Sequence, residues 1–235
     1  MKVPRYTNDA VHWFINELTS RIVAESGIPS DRYHLGKILI QSLKDAPDFL
    51  TQIDGATDER ENNSSVLERT VRCANAMKAA SLKVGDVVIL MAPNHIDLVI
   101  PFYAALYLGV IVAAVDRTLG IQELRNSFNI NRPRMVFCQN EKVSDIQNAL
   151  DGLELDTLIV TFDKGDLCSF NKFLERGING PSVNEFRPTD FNPEDTIGLL
   201  IATSGTTGLP KSAAVTHKSL VISGPYLWQV FSTST

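Results

Sequence analysis

The segment from Thr203 to Lys211 combines hydroxyl-bearing, small and basic residues directly after an apolar run. It reads TSGTTGLPK and contains four hydroxyls, two glycines and one lysine. Glycines let backbone N–H groups approach a ligand closely, hydroxyls donate further hydrogen bonds, and lysine supplies a positive charge. This set of groups suits a polyphosphate. A surface hairpin rich in Ser, Thr and Gly is the alternative, but it gives no reason for a Pro-Lys pair after the glycines.

A Walker A loop is a second alternative, because Gly205 precedes Lys211 and Ser212 at nearly the required spacing. The pattern GxxxxGK[ST] needs its second glycine at the position of Pro210. Proline offers no N–H to a phosphate and fixes φ at about −65°. The residues Ala213–Thr216 are also more typical of a returning strand than of a helix start. The sequence therefore favours a nucleotide-binding hairpin between two strands over a P-loop kinase or NTPase.

The elements that must position this loop alternate between helices and short β-branched runs. Such alternation predicts an α/β fold, and the fully apolar strands predict a mostly parallel sheet covered by helices on both faces. The predicted helices are Val11–Ala24, Leu35–Lys44, one opened by a capping box of Ser65 and Glu68, Ile96–Leu108, Ile121–Phe128 and Val143–Leu150. The predicted strands are Phe49–Ile53, Val87–Met91, Val110–Val115, Met135–Cys138, Thr157–Thr161 and Thr196–Ala202.

Two segments bear on the division of the chain. The uncharged run Leu98–Val115 is 18 residues long, close to a membrane span, but Gly109 predicts a helix end and the β-branched residues after it predict a strand. We therefore predict no transmembrane segment there. The stretch Gly177–Asp195 holds three prolines and is the best linker candidate. It suggests a first subdomain of residues 1–190 and a second, begun at residue 191, that carries the loop.

Composition excludes several classes of function. The 235 residues carry a net charge of −5 without a dense Lys/Arg cluster, so nucleic acid is not an expected partner. The three cysteines form neither a CxxC pair nor an even disulfide set, and the first residues are too polar for a signal peptide. An intracellular protein is expected.

Other residues that could do chemistry have simpler explanations. His217 could act as a general base, but the sequence fixes no acid or nucleophile beside it, so a structural histidine at a strand end is favoured. His95 is expected to serve the turn before a helix, since no second metal ligand lies at suitable spacing. Cys73 lies on the apolar side of a predicted helix and is expected in the core.

The TSGTTGLPK run, followed by a short strand and the pair Thr216-His217, resembles the phosphate-loop motif of the adenylate-forming enzymes. This family includes acyl-CoA synthetases, 4-coumarate–CoA ligases and beetle luciferases. The resemblance extends upstream through KVGDVVILMAPNHIDLVIPFYAALYLGVIVAAVD and FNPEDTIGLLIATSGTTG, and it covers the chain from about Leu35 onward. One departure is Ser212, where the family usually has glycine. The resemblance implies that the fold is the N-terminal part of the large adenylate-forming domain.

The resemblance also implies a two-step reaction. A carboxylate attacks the α-phosphate of Mg-ATP to give an acyl-adenylate and pyrophosphate, and a thiol, usually coenzyme A, then displaces AMP. It assigns the cradle for the β- and γ-phosphates to six residues and the charge near the leaving pyrophosphate to the catalytic Lys211. The six cradle residues are Thr203, Ser204, Gly205, Thr206, Thr207 and Gly208. The implied partners are a small carboxylic acid, ATP and coenzyme A, with Mg²⁺ ligands expected outside this chain.

Only 24 residues follow Lys211, whereas the family pattern continues much further. The Tyr-Gly-x-Thr-Glu segment, the ribose-binding aspartate, the hinge and the C-terminal lid of the family are not found here. We therefore expect an N-terminal portion of an acid–thiol ligase that is inactive by itself. A naturally short, non-catalytic relative that binds nucleotide or a partner is the alternative. The family resemblance is compatible with a peroxisomal or a cytoplasmic location.

Overall fold

The computed structural model describes residues 34–163, 167–203, 211–221 and 223. The predicted helix Val11–Ala24 and the loop residues 204–210 lie outside the described residues.

Helices and strands alternate along the chain, as predicted. The helices are α1 Leu35–Asp45, α2 Asn63–Ala79, α3 Val99–Leu108, α4 Ile121–Asn131, α5 Val143–Leu150 and α6 Phe170–Glu175. The strands are β1 Leu50–Ile53, β2 Arg60–Asn62, β3 Val87–Met91, β4 Ile111–Ala114, β5 Met135–Cys138, β6 Leu158–Thr161, β7 Cys168–Ser169, β8 Ile197–Thr203 and β9 Lys211–Thr216. The short elements β2, β7 and α6 were not predicted.

Seven strands form one sheet in the order β7-β6-β5-β3-β4-β8-β9. Every neighbouring pair is parallel except β8 and β9, which are antiparallel. Strands β1 and β2 form a separate antiparallel pair. The predicted α/β fold with a mostly parallel sheet is confirmed.

Apolar side chains on both faces of the sheet explain why its strands are apolar throughout. Alternate residues of β3 point to opposite faces, so Val88 and Leu90 join one buried cluster while Ile89 and Met91 join the other. The first cluster packs beneath α1, α2 and α3, and the second beneath α4 and α5. The predicted cover of helices on both faces is therefore present.

The start of α2 differs from the prediction. Asn62 Oδ1 accepts a hydrogen bond from the Ser65 amide at 3.0 Å, so Asn62 caps the helix and α2 begins three residues earlier than a Ser65 cap would require. The Ser65 hydroxyl donates to Glu61 Oε1 at 2.6 Å, and Glu68 pairs with Arg72 one turn later. The predicted capping box of Ser65 and Glu68 is wrong because a better cap precedes it.

The end of α3 follows the prediction. Gly109 takes the left-handed conformation with φ of 68°, which ends the helix before β4 begins. The long apolar run is therefore a buried helix and a buried strand. Among the residues that the structure describes, no helix has both the length and the apolar character needed to cross a membrane.

The connection between α6 and β8, residues 176–196, contains no helix or strand but packs closely against the body of the protein. Phe186 and Phe191 are buried, and Asp190 forms an ion pair of 3.0 Å with Lys37 of α1. Strand β8, which follows, pairs with β4 in the same sheet. A division into subdomains at residues 190 and 191 stays a prediction.

Candidate functional site

The candidate phosphate loop joins two paired strands. Residues Thr203 and Lys211 are register partners at the end of the β8–β9 ladder, and Lys211 begins a strand of six residues. The returning strand predicted after Lys211 is therefore confirmed. In a Walker A loop the lysine would stand at the start of a helix instead. Of the predicted cradle, Ser204–Gly208 lies outside the described residues, while Thr203 ends β8.

The position of β8 in the sheet places the loop at an edge suited to ligands. Since β8 runs parallel to β4, Thr203 lies at the same edge as the carboxyl ends of β3, β4, β5 and β6. In open α/β sheets, ligands bind outside these carboxyl ends. Both ends of the candidate loop, Thr203 and Lys211, therefore lie at the edge of the sheet where open α/β folds bind ligands.

Hydrogen bonds hold polar residues in the connections that follow β4 and β5. The Asp116 carboxylate, after β4, accepts from both the amide and the hydroxyl of Thr118 at 2.8 Å, and these bonds lower its pKa. The backbone amide of Asn140, after β5, donates to Asp163 Oδ1 at 2.6 Å. These bonds fix two turns at the same edge of the sheet as Thr203.

His95 serves the turn that follows β3. Its Nδ1 accepts from the Asp97 amide at 3.3 Å, and its ring lies edge-on to Phe162 at 4.4 Å between centroids. Burial lowers its pKa, and the groups near it include Asp97 and Arg69. A shallow cleft of about 320 Å³ lies beside it, lined by residues that include Gln52, Asn94 and Phe102. The predicted role in the turn is confirmed.

A network of charged and polar side chains holds this turn against β1, β2 and α2. Glu61, which is 7% exposed, accepts hydrogen bonds from Gln52 at 2.7 Å and from Arg69 at 3.0 Å. Arg69 also pairs with Asp97 beside His95. Sequence analysis missed this network, since its members come from β1, β2, α2 and the turn after β3.

His217 directly follows β9 and is fully buried, and among the described residues neither ring nitrogen has a hydrogen-bond partner. In the part of the chain that the structure describes, its ring contacts the rings of His34 and Phe191. A structural role at a strand end, which the sequence favoured over a general base, therefore agrees with its surroundings. His34 and Phe191 were not singled out from the sequence.

The cysteines and the acidic residues offer no metal site in the described part of the chain. Cys73 is buried in α2, as predicted, and burial raises its pKa. Within residues 34–163, 167–203, 211–221 and 223, no group of three or more His, Cys, Asp or Glu side chains could hold a metal ion.

Similarity to known proteins is strong along most of the chain. Residues 41–233 match the family model described as AMP-binding enzyme. The chain is 31% identical to a luciferin 4-monooxygenase of Photuris pensylvanica over 160 residues, which is 66% of this chain and 29% of the relative. It is 27% identical to a 4-coumarate–CoA ligase of Vanilla planifolia, over 73% of this chain and 31% of that relative.

Solved structures agree with this assignment. The luciferase-like enzyme of the nonluminescent mealworm Zophobas morio superposes with a TM-score of 0.74 and 30% identity, over 81% of this chain and 44% of that protein. An anthranilate CoA ligase in complex with anthranoyl-AMP shares the fold, with a TM-score of 0.71 and 23% identity over 83% of this chain and 36% of that one. The chain spans less than a third of the two curated relatives named above. Its family-model match over residues 41–233 places it in the family of AMP-binding, adenylate-forming enzymes.

Proposed function

We propose that this chain supplies the phosphate-binding hairpin of an ATP-dependent acid–thiol ligase. The main support for this proposal is that the segment TSGTTGLPK joins two antiparallel strands at the carboxyl edge of a parallel sheet. Backbone N–H groups and hydroxyls of Thr203–Gly208 would bind the β- and γ-phosphates of Mg-ATP, and Lys211 would stabilise the leaving pyrophosphate.

The proposed reaction has two steps. A carboxylate oxygen forms a bond to the α-phosphorus while the bond to the pyrophosphate oxygen breaks, which gives an acyl-adenylate. The sulfur of a thiol, with coenzyme A as the proposed donor, then attacks the acyl carbon, and AMP leaves with the former carboxylate oxygen. The ligase names of the relatives support the thiol step, and the luciferase names leave an oxidative second step as the alternative.

A kinase or NTPase of the P-loop type is the less favoured function. That chemistry would place Lys211 at a helix start, whereas Lys211 begins β9. A non-catalytic nucleotide-binding protein is compatible with the same hairpin, so the two candidates must be separated by assay. An intracellular location, in the peroxisome or the cytoplasm, stays a prediction.

Analysis of nucleotide products tests the proposal. The native polypeptide can be captured with an antibody against residues 55–60, which are exposed, and its mass measured. The sample is then incubated with Mg-ATP, coenzyme A and a mixture of benzoic, cinnamic and octanoic acids. For a captured polypeptide heavier than 25.9 kDa, the expected products are AMP and pyrophosphate that form only when acid is present. ADP and phosphate would contradict the proposal, and ATP binding without turnover would favour the non-catalytic alternative.

A further inference from the structure

The ring of His217 fills a closely fitted space at the base of the β8–β9 hairpin. A Cβ added to Gly198 of β8 would lie 3.3 Å from the His217 ring and 2.9 Å from Leu220 Cδ1. On its other side the ring meets Phe191 at 4.8 Å and His34 at 5.4 Å between centroids. The ring therefore joins both strands of the hairpin to residues outside it.

Phe191 extends this contact to the helices. Its ring stacks on His34 at 3.9 Å, directly before α1, and it lies so close to Gly109 at the end of α3 that an added Cβ would come within 2.7 Å. We call the set His34, Gly109, Phe191, Gly198 and His217 the histidine clamp. It links the hairpin to α1, to α3 and to the connection that precedes β8.

Backbone hydrogen bonds hold the same end of the hairpin. The His217 amide donates to the Thr196 carbonyl at 3.0 Å, and the Lys218 amide donates to the Pro193 carbonyl at 2.9 Å. The side chain of Lys218 also pairs with Glu194. The base is thus fixed, while the opposite end of the ladder carries Thr203 and Lys211.

We propose that His217 is a positioning residue for the candidate phosphate loop, because its ring packs between both strands and Phe191 and so fixes the orientation of the hairpin that carries the loop. The proposal rests on the proposed function of that loop. It also accounts for a buried imidazole whose two nitrogens have no hydrogen-bond partner among the residues that the structure describes. The contribution of the ring is then its packing and not a polar contact.

The surroundings of His217 favour its neutral form. The facing titratable group is His34, whose Nε2 contacts the Thr189 carbonyl at 2.9 Å, and the ion pair of Lys37 with Asp190 lies beyond it. Burial lowers the pKa of His217 to about 4, and burial together with His217 and Lys37 lowers that of His34 to about 3 despite opposing effects of Thr189 and Asp190. A proton on either ring would place positive charge in the clamp and loosen it.

Two substitutions separate the effect of the packing of the His217 ring from the effect of its protonation. His217→Ala removes the ring, and we expect it to weaken binding of a fluorescent ATP analogue about tenfold, because a small displacement of binding groups has large effects. His217→Phe keeps a planar aromatic ring, one atom larger and without nitrogens, and we expect affinity within about twofold of the unmodified protein, with less loss of binding at acid pH. Phe128→Leu, in the cluster on the other face of the sheet, controls for loss of core packing.

Amide hydrogen exchange provides a readout that does not depend on nucleotide. Faster exchange across β8 and β9 in His217→Ala, with unchanged exchange there in His217→Phe and Phe128→Leu, is the expected result. Unchanged exchange in a folded His217→Ala variant, or a His217→Phe variant impaired as much as His217→Ala, would overturn the proposal. If the unmodified protein binds no ATP analogue, the proposed function fails, and the exchange pattern still decides whether His217 positions the hairpin.

Discussion

Thr203 and Lys211 face each other as the last register pair of the β8–β9 ladder. Their pairing places both ends of the segment 204–210 on adjacent backbone positions at the carboxyl edge of the sheet. The candidate phosphate loop is therefore attached to two strands, one of which is bound to the parallel sheet through β4. A rigid attachment of this kind suits a loop that must hold a polyphosphate in one orientation.

Replacement of the loop lysine tests the charge assigned to it. We expect Lys211→Ala to weaken binding of a fluorescent ATP analogue about tenfold or more, because a positive charge next to the phosphates is lost. The backbone pairing of residue 211 does not depend on the side chain. Lys218→Ala serves as the control, since it removes an equal charge that pairs with Glu194 at the base of the hairpin. Equal affinities of the two variants would contradict the assignment.

Acid pH should destabilise the fold through His34 and His217. Both have a pKa in the folded protein below the ordinary value of 6.5, so at falling pH the unfolded chain binds protons before the folded chain does. The stability that comes from keeping both rings neutral is complete well above pH 6.5 and is lost progressively as the pH falls through 6.5 towards about 4 for His217 and about 3 for His34. Urea unfolding between about pH 8 and about pH 5 measures this change.

The variant His217→Phe is the control for this pH dependence of stability. His217→Phe removes one of the two titrating groups, and the fall of the urea midpoint with acid should become shallower in that variant. A midpoint that does not fall in the unmodified protein, or a slope that His217→Phe leaves unchanged, would show that these imidazoles are not the groups responsible.

Loss of Glu61 should destabilise the turn after β3. Glu61→Ala leaves Arg69 with Asp97 alone and takes an acceptor from Gln52, so we expect the free energy of unfolding to fall by about 3 kcal/mol. The matched control is Glu68→Ala, which breaks the exposed pair with Arg72 and should cost less than about 0.5 kcal/mol. Urea denaturation compares the two, and similar losses would mean that burial of Glu61 adds nothing.

Local patterns predicted the elements that have clear local signals. Strand β5 and helix α5 have the predicted bounds, because β5 is an apolar run between polar residues and the apolar residues of α5 recur at helical spacing. The start of α2 was misplaced, since Asn62 and Ser65 are both residue types that cap helices well. The structure shows that Asn62 is the cap, because it accepts from the Ser65 amide while the Ser65 hydroxyl donates to Glu61. Strand β7 has two residues and depends on its neighbour β6, so no periodic pattern marks it.

The candidate site was predictable only in part, for a related reason. The hairpin and its loop are contiguous, so glycines, hydroxyls, Pro210 and Lys211 could be interpreted together. The members of the histidine clamp lie far apart in the sequence. Thr189, whose carbonyl contacts the His34 ring, lies 155 residues after His34. Contacts across that separation arise from the order of strands in the sheet, which a single sequence does not reveal.

Transfer of oxygen from the acid to AMP tests the central claim most directly. The native polypeptide would be incubated with Mg-ATP, coenzyme A and benzoic, cinnamic and octanoic acids labelled with ¹⁸O in the carboxyl group, and the AMP would be analysed by mass spectrometry. Attack of a carboxylate oxygen on the α-phosphorus predicts AMP that carries one ¹⁸O atom. Unlabelled AMP, or ADP as the nucleotide product, would contradict the account.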